Sequence, residues 1–403
     1  MGLFSQKLSP EEAEELRRAQ QVNRARDFTD ICAVFGYECE EHSVTTDDGY
    51  ILSLKRILPQ ERHERSVQRP VVYLQHGLCT NCELFMAVSN PRRCLPLVLV
   101  ENGYDVWLGN NRGNKYSRNH TTLPVASDAF WDFSIDNLAI SDVPSSVSYV
   151  LECTKQPKLS YIGFSQGSAQ AFAALSVNSK LNQQVNIFIA LAPIMRPKGY
   201  SAKLVDMMMK RNPKSIQLFF GIRALFPIVS SLQCILPTFF LNLAVDYAVY
   251  YLLAFANYNI TKVQKLAAYP HLYCASSVKA VVHWAQVMRA GQFIPFSDDT
   301  KHSTSPRTKQ IYGNGNGNYH IRPDSIEGTL QRYPTENICT PIVLIHGDSD
   351  SLFDLEPMLE HLPLSGVHCI GLKGYEHLDV LWGKNVHVDV IPKVLEGLQS
   401  VSS

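Results

Sequence analysis

The sequence predicts an α/β architecture: a mostly parallel central sheet packed by helices, with an inserted, mainly helical cap. Two observations predict it. Short apolar runs, VVYLQHG from residue 71, then YDVWLGNNRG, LSYIGFSQG and NIFIALAP, and much later PIVLIHGDSD and VHCIGLKG, are separated by helical stretches and close in glycine or polar residues. Such runs suit buried parallel strands with functional loops at their carboxyl ends. From Pro193 to Pro341, between the fourth run and the fifth, the texture changes, as an insertion into the sheet would require. At 403 residues the chain has room for one large sheet and that insertion.

In chain order, residues 8–26 begin with Ser9 before Pro10 and Glu11, which reads as an N-cap, a proline at the first helical position and an acidic first turn. A charged, exposed helix is expected there. The segment CEEHSVTTDDGYILSLKRIL alternates around Asp48-Gly49, a pair suited to a tight hairpin, so two antiparallel strands precede the parallel set. Inside the insertion, Gln217 to Asn257 is dominated by apolar residues but interrupted by Arg223, Pro227, Pro237 and Asp246. A membrane-crossing helix needs about 20 residues with few breakers. Ala224 to Val245 nears that length with two prolines, which favours a lid, an element dipping into lipid, or a buried helix pair over a full span. Residues 311–323, IYGNGNGNYHIRP, read as a flexible Gly/Asn-rich loop. The division expected is a charged helical segment 1–36, a first core part 37–198, a cap 199–335 and a second core part 336–403.

Composition narrows the function classes. Apolar residues make up 45% of the chain and charged residues 18%, enough for a sizeable core and far from the signature of disorder. Lys plus Arg (37) equals Asp plus Glu (37), so no global field draws the chain to nucleic acid or anionic membrane, and any partner is recognised locally. Ten cysteines are scattered without the spacing of a disulfide framework, and no apolar stretch follows Met1-Gly2-Leu3-Phe4, so reduced thiols in an intracellular compartment are expected. The sequons at Asn119 and Asn259 point weakly the other way. Gln6 stands where a myristoylation motif has Ser or Thr, and no acyl anchor is expected.

Gly163-Phe164-Ser165-Gln166-Gly167 follows the strand-like run Leu159 to Ile162 and precedes AQAFAAL, a strong helix former. A sharp strand-to-helix turn tolerates only small flanking residues, and it lifts the serine hydroxyl to a helix N-terminus. A serine hydroxyl is a weak nucleophile at neutral pH, so a histidine must take its proton and a carboxylate must orient that histidine. The partners are expected late in the chain. His377 is the candidate base because it follows the last predicted strand in a loop, whereas His346 lies inside a strand-like run and His361 and His368 precede or enter one. Asp350, three residues past Gly347 and walled by Leu352-Phe353, is the favoured acid over Asp348 and Asp354. For the oxyanion, the candidate donors are the Gln166 N–H and the Leu78 N–H in the turn His76-Gly77-Leu78. Cys79 and Cys82 have C-x-x-C spacing without a second pair, which makes packing their expected role and zinc unlikely. Gly109 to Asn114 has no phosphate-cradle pattern and reads as a hydrogen-bonded loop beneath the site.

The segments GYILSLKRI, YLQHGL, NGYDVWLGNNRGNKYSRNH, FWDFSIDNLAISDVP, YIGFSQG, ALAPI, HGDSD and EHLDVLWG, spread over residues 37 to 383, resemble the acid-lipase branch of the α/β hydrolases, which includes gastric and lysosomal lipases and fungal steryl ester hydrolases. That resemblance implies an α/β-hydrolase fold, Ser165, Asp350 and His377 as a triad, and Leu78 with Gln166 as the oxyanion donors. No metal or organic cofactor is expected, because such a triad generates its own nucleophile. Phe164 precedes the serine where the secreted animal lipases commonly carry His. The cap segment AAYPHLYCASSVKAVVHWAQVMR is similar to the fungal steryl ester hydrolases, which implies steryl ester or triacylglycerol hydrolysis at a lipid droplet or membrane surface. The same triad would serve an acyltransferase, and a fold retained as a non-catalytic lipid-binding scaffold is the alternative from another class.

Overall fold

A computed structural model describes residues 8–61, 67–199, 206–207, 216, 220–225, 238–253, 255–297, 309–313, 319–323, 332–352 and 354–401. The main strands are β1 (Cys39–Thr45), β2 (Tyr50–Ile57), β3 (Val71–Gln75), β4 (Asp105–Leu108), β5 (Leu159–Phe164), β6 (Val185–Leu191), β7 (Ile342–Gly347) and β8 (Val367–Leu372). They form one sheet in the order β1-β2-β4-β3-β5-β6-β7-β8. Every pairing from β4 to β8 is parallel, and the β1–β2 hairpin adds an antiparallel edge through β2. All six apolar runs therefore became the parallel strands expected of them. β3, β5 and β7 are buried along their whole length, which is why their sequences run apolar without alternation.

Among the described residues the helices of seven or more residues are α1 (Pro10–Arg24), α2 (Phe28–Val34), α3 (Leu95–Glu101), α4 (Val143–Thr154), α5 (Gln166–Val177), α6 (Thr238–Leu253), α7 (Lys262–Ala268), α8 (Val278–Ala290) and α9 (Ile391–Gln399). Alternating side chains of β6 assign helices to opposite faces of the sheet. Phe188 packs on Phe172 of α5 with ring centroids 4.9 Å apart, while Ile187 and Ile189 approach Gly397 of α9. Helices α6, α7 and α8 lie in the excursion between β6 and β7 and contribute Leu241, Val245, Ala267, Trp284 and Val287 to the same hydrophobic core as the sheet. A smaller apolar cluster, including Leu225, Val278, Val282 and Phe296, lies within that excursion and takes in Cys79 from the core.

Two expectations need correction. Ser9 caps α1 through a reciprocal capping box with Glu12, as its sequence suggests, but the helix is not an exposed rod. Ala19 and Val22 are fully buried, Asn23 donates to the Leu266 carbonyl of α7, and Glu15 pairs with Arg93, so one face is built into the fold. The charge-rich sequence concealed it because Ala and Val supply a narrow apolar stripe. Residues 311–323 do not form a structureless loop: Lys309–Gly313 and Tyr319–Pro323 pair as an antiparallel hairpin. β-Branched and aromatic residues flank the Gly/Asn run, and turn residues between such flanks favour a hairpin; the run 314–318 itself lies outside the described residues, as do Pro227 and Pro237 of the apolar segment. Among the described residues no helix is long and apolar enough to cross a membrane.

Beneath the carboxyl ends of the strands, Arg112 is wholly buried between two carboxylates. Its Nε donates to Asp142 at 2.7 Å, its Nη1 to Asp48 at 2.6 Å, and its guanidinium lies 3.9 Å from the Tyr50 ring centroid. Burial pushes Asp142 up to about 6 even with this partner, so the carboxylate depends on the guanidinium for its charge. Arg112→Met is expected to lower unfolding free energy by about 3–5 kcal/mol, measured by urea denaturation, because it strands a buried acid.

Candidate active site

The elbow at Ser165 is set by two close approaches. Ser165 joins β5 to α5 with φ 54° and ψ −121°, a strained conformation for a residue with a side chain. A Cβ on Gly167 would sit 2.2 Å from the Gln75 carbonyl oxygen of β3, and one on Gly163 would sit 2.7 Å from the Gly167 carbonyl, so neither position admits another residue without displacing backbone. Ser168 reinforces the turn, donating to the Ser165 carbonyl at 2.5 Å and accepting from the Ile194 N–H.

The turn lifts Ser165 to the carboxyl edge of the sheet, and the loops after β7 and β8 bring the other two candidates to it. The Ser165 Oγ lies 2.8 Å from His377 Nε2, and His377 Nδ1 lies 2.7 Å from Asp350 Oδ2. Asp350 and His377 are both buried, and the second oxygen of Asp350 accepts the Leu352 N–H at 2.9 Å, which fixes its plane. Phe353, expected to help wall the acid, lies outside the described residues. The rival acids are engaged elsewhere: Asp348 accepts the Gly374 N–H, and Asp354 pairs with Arg196 and Lys198. His346 is on β7, His361 lies after the short helix Leu355–Leu359, and His368 is exposed on the edge strand β8.

Leu78 and Gln166 also converge on the serine. A Cβ on Gly77 would lie 3.1 Å from the Ser165 Cβ, so the turn from β3 packs against the serine side chain. The Gln166 N–H opens α5 and has no intrahelical acceptor. No acceptor among the described residues takes the Leu78 N–H. The Gln166 side chain is held by Trp284 of α8, whose indole Nε1 donates to Oε1 at 2.8 Å. Ser165, His377 and Gln166 open onto a cleft walled mainly by apolar groups, among them Leu78, Phe164, Ile194, Val249, Phe255 and Leu272. Among the described residues no cluster of His, Cys, Asp or Glu has the arrangement of a metal site. Cys79 and Cys82 are buried by packing.

His76 had no assigned role in the sequence, and it organises the turn. Its Nε2 accepts from the Asn111 N–H at 3.0 Å and from Asn114 Nδ2 at 3.2 Å, so the proton resides on Nδ1, which donates to the Gly77 carbonyl at 2.8 Å. Asn110 Oδ1 receives the Cys82 N–H and Gln75 Nε2 donates to Asn111 Oδ1, so the Asn-rich loop does brace the site from below. Of the sequons, Asn119 is exposed, whereas Asn259 directs Nδ2 to the Gly374 carbonyl and to Asp379, two bonds that a glycan on that nitrogen would disrupt.

Residues 70–384 match the family described as alpha/beta hydrolase fold, and residues 28–89 match a partial alpha/beta-hydrolase lipase region. The chain is similar to a probable lipase of Schizosaccharomyces pombe, with 44% identity across 94% of this chain and 81% of that protein. Human lipase member M is 32% identical, covering 86% of this chain and 79% of its own, and rat gastric triacylglycerol lipase is 29% identical, covering 91% and 90%. Among solved structures, a soluble variant of monoglyceride lipase from Saccharomyces cerevisiae superposes with a TM-score of 0.54 at 14% identity, covering 90% of this chain and 94% of its own, a likeness of fold.

Burial holds the His76 pKa down to about 4, against about 6.5 in an unfolded chain. Between those values the unfolded chain binds the extra proton and the folded chain does not, so stability is full above pH 6.5 and falls as pH drops towards 4. The loss from this one group reaches about 3 kcal/mol. Urea unfolding at pH 7, 5.5 and 4 measures it, and His76→Asn is expected to flatten the slope within that window.

Proposed function

Because the chain belongs to the acid-lipase family of α/β hydrolases, we propose that it cleaves its lipid ester substrates through an acyl-enzyme on Ser165, and that these substrates are steryl esters, triacylglycerols or both. The observation that carries this reading is the unbroken chain of short contacts from Ser165 Oγ through His377 to Asp350. As Oγ attacks the ester carbonyl, His377 Nε2 takes its proton, and Asp350 fixes the tautomer by accepting from Nδ1 and stabilises the imidazolium that forms. The carbonyl oxygen becomes an oxyanion facing the N–H groups of Leu78 and Gln166, donors of a kind worth roughly 3 kcal/mol each where one has been removed. Collapse expels the alcohol, which takes the proton from His377, and leaves the acyl group on Ser165. Water, deprotonated by the same Nε2, then attacks the acyl carbonyl and releases the fatty acid and the free serine. The chain's own groups supply both proton transfers, so the reaction calls for no cofactor.

The apolar walls of the cleft support a substrate with long hydrocarbon parts. Helix α6 supports a lipid surface, on a droplet or a membrane, as the partner. Its Leu241, Val245 and Val249 are buried, while Phe240, Leu243, Tyr247 and Tyr250 are 58–67% exposed at spacings of three and four residues, a continuous outward stripe. Val249 of the same helix walls the cleft, so lipid met by the stripe lies beside its entrance. Tyrosines in such a stripe suit the boundary between headgroups and hydrocarbon.

Ser165→Ala is expected to abolish fatty-acid release from emulsified triolein and cholesteryl oleate, by a factor of at least about 10⁴, with the fold unchanged by circular dichroism. Equal release by wild type and variant would reject the serine assignment. Leu243→Asp with Tyr247→Asp is expected to lower partition onto triolein emulsion and to leave hydrolysis of a water-soluble ester intact; unchanged partition in a flotation assay would reject the docking stripe.

A further inference from the structure

The base His377 sits beyond β8, a strand that among the described residues pairs only with β7 and is half-exposed. A loop that far from the centre of the sheet has little backbone ladder to fix it. The Nδ1 bond to Asp350 anchors one point of the imidazole and leaves the plane of the ring to be set by its neighbours. One neighbour is Phe164, with ring centroids 5.2 Å apart and planes tilted by 49°. The other comes from the insertion. Phe255, two residues past the end of α6, stacks on His377 with centroids 5.6 Å apart and planes within 9° of parallel.

The chain following Phe255 is fastened to the loop that carries the base. The Glu376 carboxylate, adjacent in sequence to His377, accepts the consecutive N–H groups of Ala256 at 2.9 Å and Asn257 at 2.7 Å. Asn257 takes the left-handed conformation, φ 53°. Asn259 Nδ2 then donates to the Gly374 carbonyl at 2.7 Å and to Asp379 Oδ2 at 2.9 Å, and its own carbonyl accepts the Lys384 N–H. Asp379 Oδ2 also accepts the Glu376 N–H at 2.8 Å, closing the histidine loop on itself at the point where the insertion grips it. Four residues of the insertion, Phe255, Ala256, Asn257 and Asn259, thus contact the base-bearing loop at residues 374, 376, 377, 379 and 384.

We infer that residues 255–259 are a positioning element for the catalytic base, in which Phe255 fixes the plane of His377 and the Glu376 clamp fixes Phe255. The inference rests on the serine-hydrolase reading above and makes the insertion part of the catalytic apparatus as well as a wall of the cleft. Displacing a reacting group by about 1 Å can cost roughly 100-fold in rate, so the stack has a consequence that packing alone would not have. Because α6 carries the outward stripe and leads directly into Phe255, a movement of that helix reaches the base through two residues of chain.

The test compares wild type with Phe255→Leu, Phe255→Tyr and Glu376→Gln on p-nitrophenyl butyrate, with labelling of Ser165 by a fluorophosphonate and the downfield proton NMR signal of the His377 Nδ1–H as further readouts. Phe255→Leu is expected to lower kcat about 10- to 100-fold with KM changed by less than about twofold, to slow labelling in parallel, and to broaden or shift the downfield signal. Phe255→Tyr, which keeps the ring, is expected to restore all three. Glu376→Gln retains one acceptor oxygen and leaves the stacked ring in place, so it gives the same pattern at smaller amplitude and serves if Phe255→Leu does not fold. Wild-type kcat in Phe255→Leu, or an effect confined to KM, would overturn the inference. Wild-type protein that neither hydrolyses the ester nor takes the label would instead overturn the serine-hydrolase reading beneath it.

Discussion

The contact between Gly167 and the carbonyl of Gln75 is the constraint on which the site depends. With no side chain at 167, the first turn of α5 presses against the end of β3, and the strained turn at Ser165 is the consequence of that approach. The same contact brings the turn after β3 against Ser165, so that Leu78 and Ser165 face one cleft. A parallel sheet makes the rest possible: strands that run the same way deliver their carboxyl-end loops to one edge, where β3 brings Leu78, β5 brings Ser165 and Gln166, β7 brings Asp350 and β8 brings His377. Residues separated by some 300 positions meet because the sheet order, and not proximity in sequence, decides which loops are neighbours.

That edge is braced by polar groups that a water-free interior would ordinarily penalise. His76, Asn110, Asn111, Asn114 and Arg112 are all buried, and each finds donors or acceptors of the right sense. A buried polar network with every partner present fixes geometry more tightly than apolar packing does, and it becomes costly as soon as one member is lost. Here the geometry it fixes is the turn carrying Leu78. The neutral, Nδ1-protonated form of His76 is part of this arrangement, since a protonated ring could not accept from Asn111.

Much of this was legible in the residues. Apolar runs ending in glycine became the parallel strands, Ser9 with Glu12 capped the first helix, and Ser165, Asp350 and His377 came together from three separate loops. These features are local, or follow from a chain order that the fold imposes. What escaped was long-range. Nothing in the spacing of Ala19 and Val22 announced that α1 would meet α7, and the Gly/Asn run after Tyr312 concealed strand pairing on either side of it. Phe255 lies in the apolar stretch Gln217 to Asn257 and Trp284 in the cap segment that follows it; only the fold puts one against His377 and the other on Gln166. Glu376 offered the one available hint, an acid beside the candidate base, but its partners are backbone groups that have no signature in sequence.

In the mechanism we propose for the relay from Asp350 through His377 to Ser165, turnover passes through an ester bond to Ser165. Rapid acid quenching of the wild-type protein during hydrolysis of a slowly deacylated ester, followed by mass spectrometry of the peptide containing Ser165, measures that bond directly. The peptide is expected to carry the mass of the acyl group during turnover and to lose it once substrate is exhausted. Sustained turnover with no adduct, or an adduct on any residue other than Ser165, would contradict the mechanism.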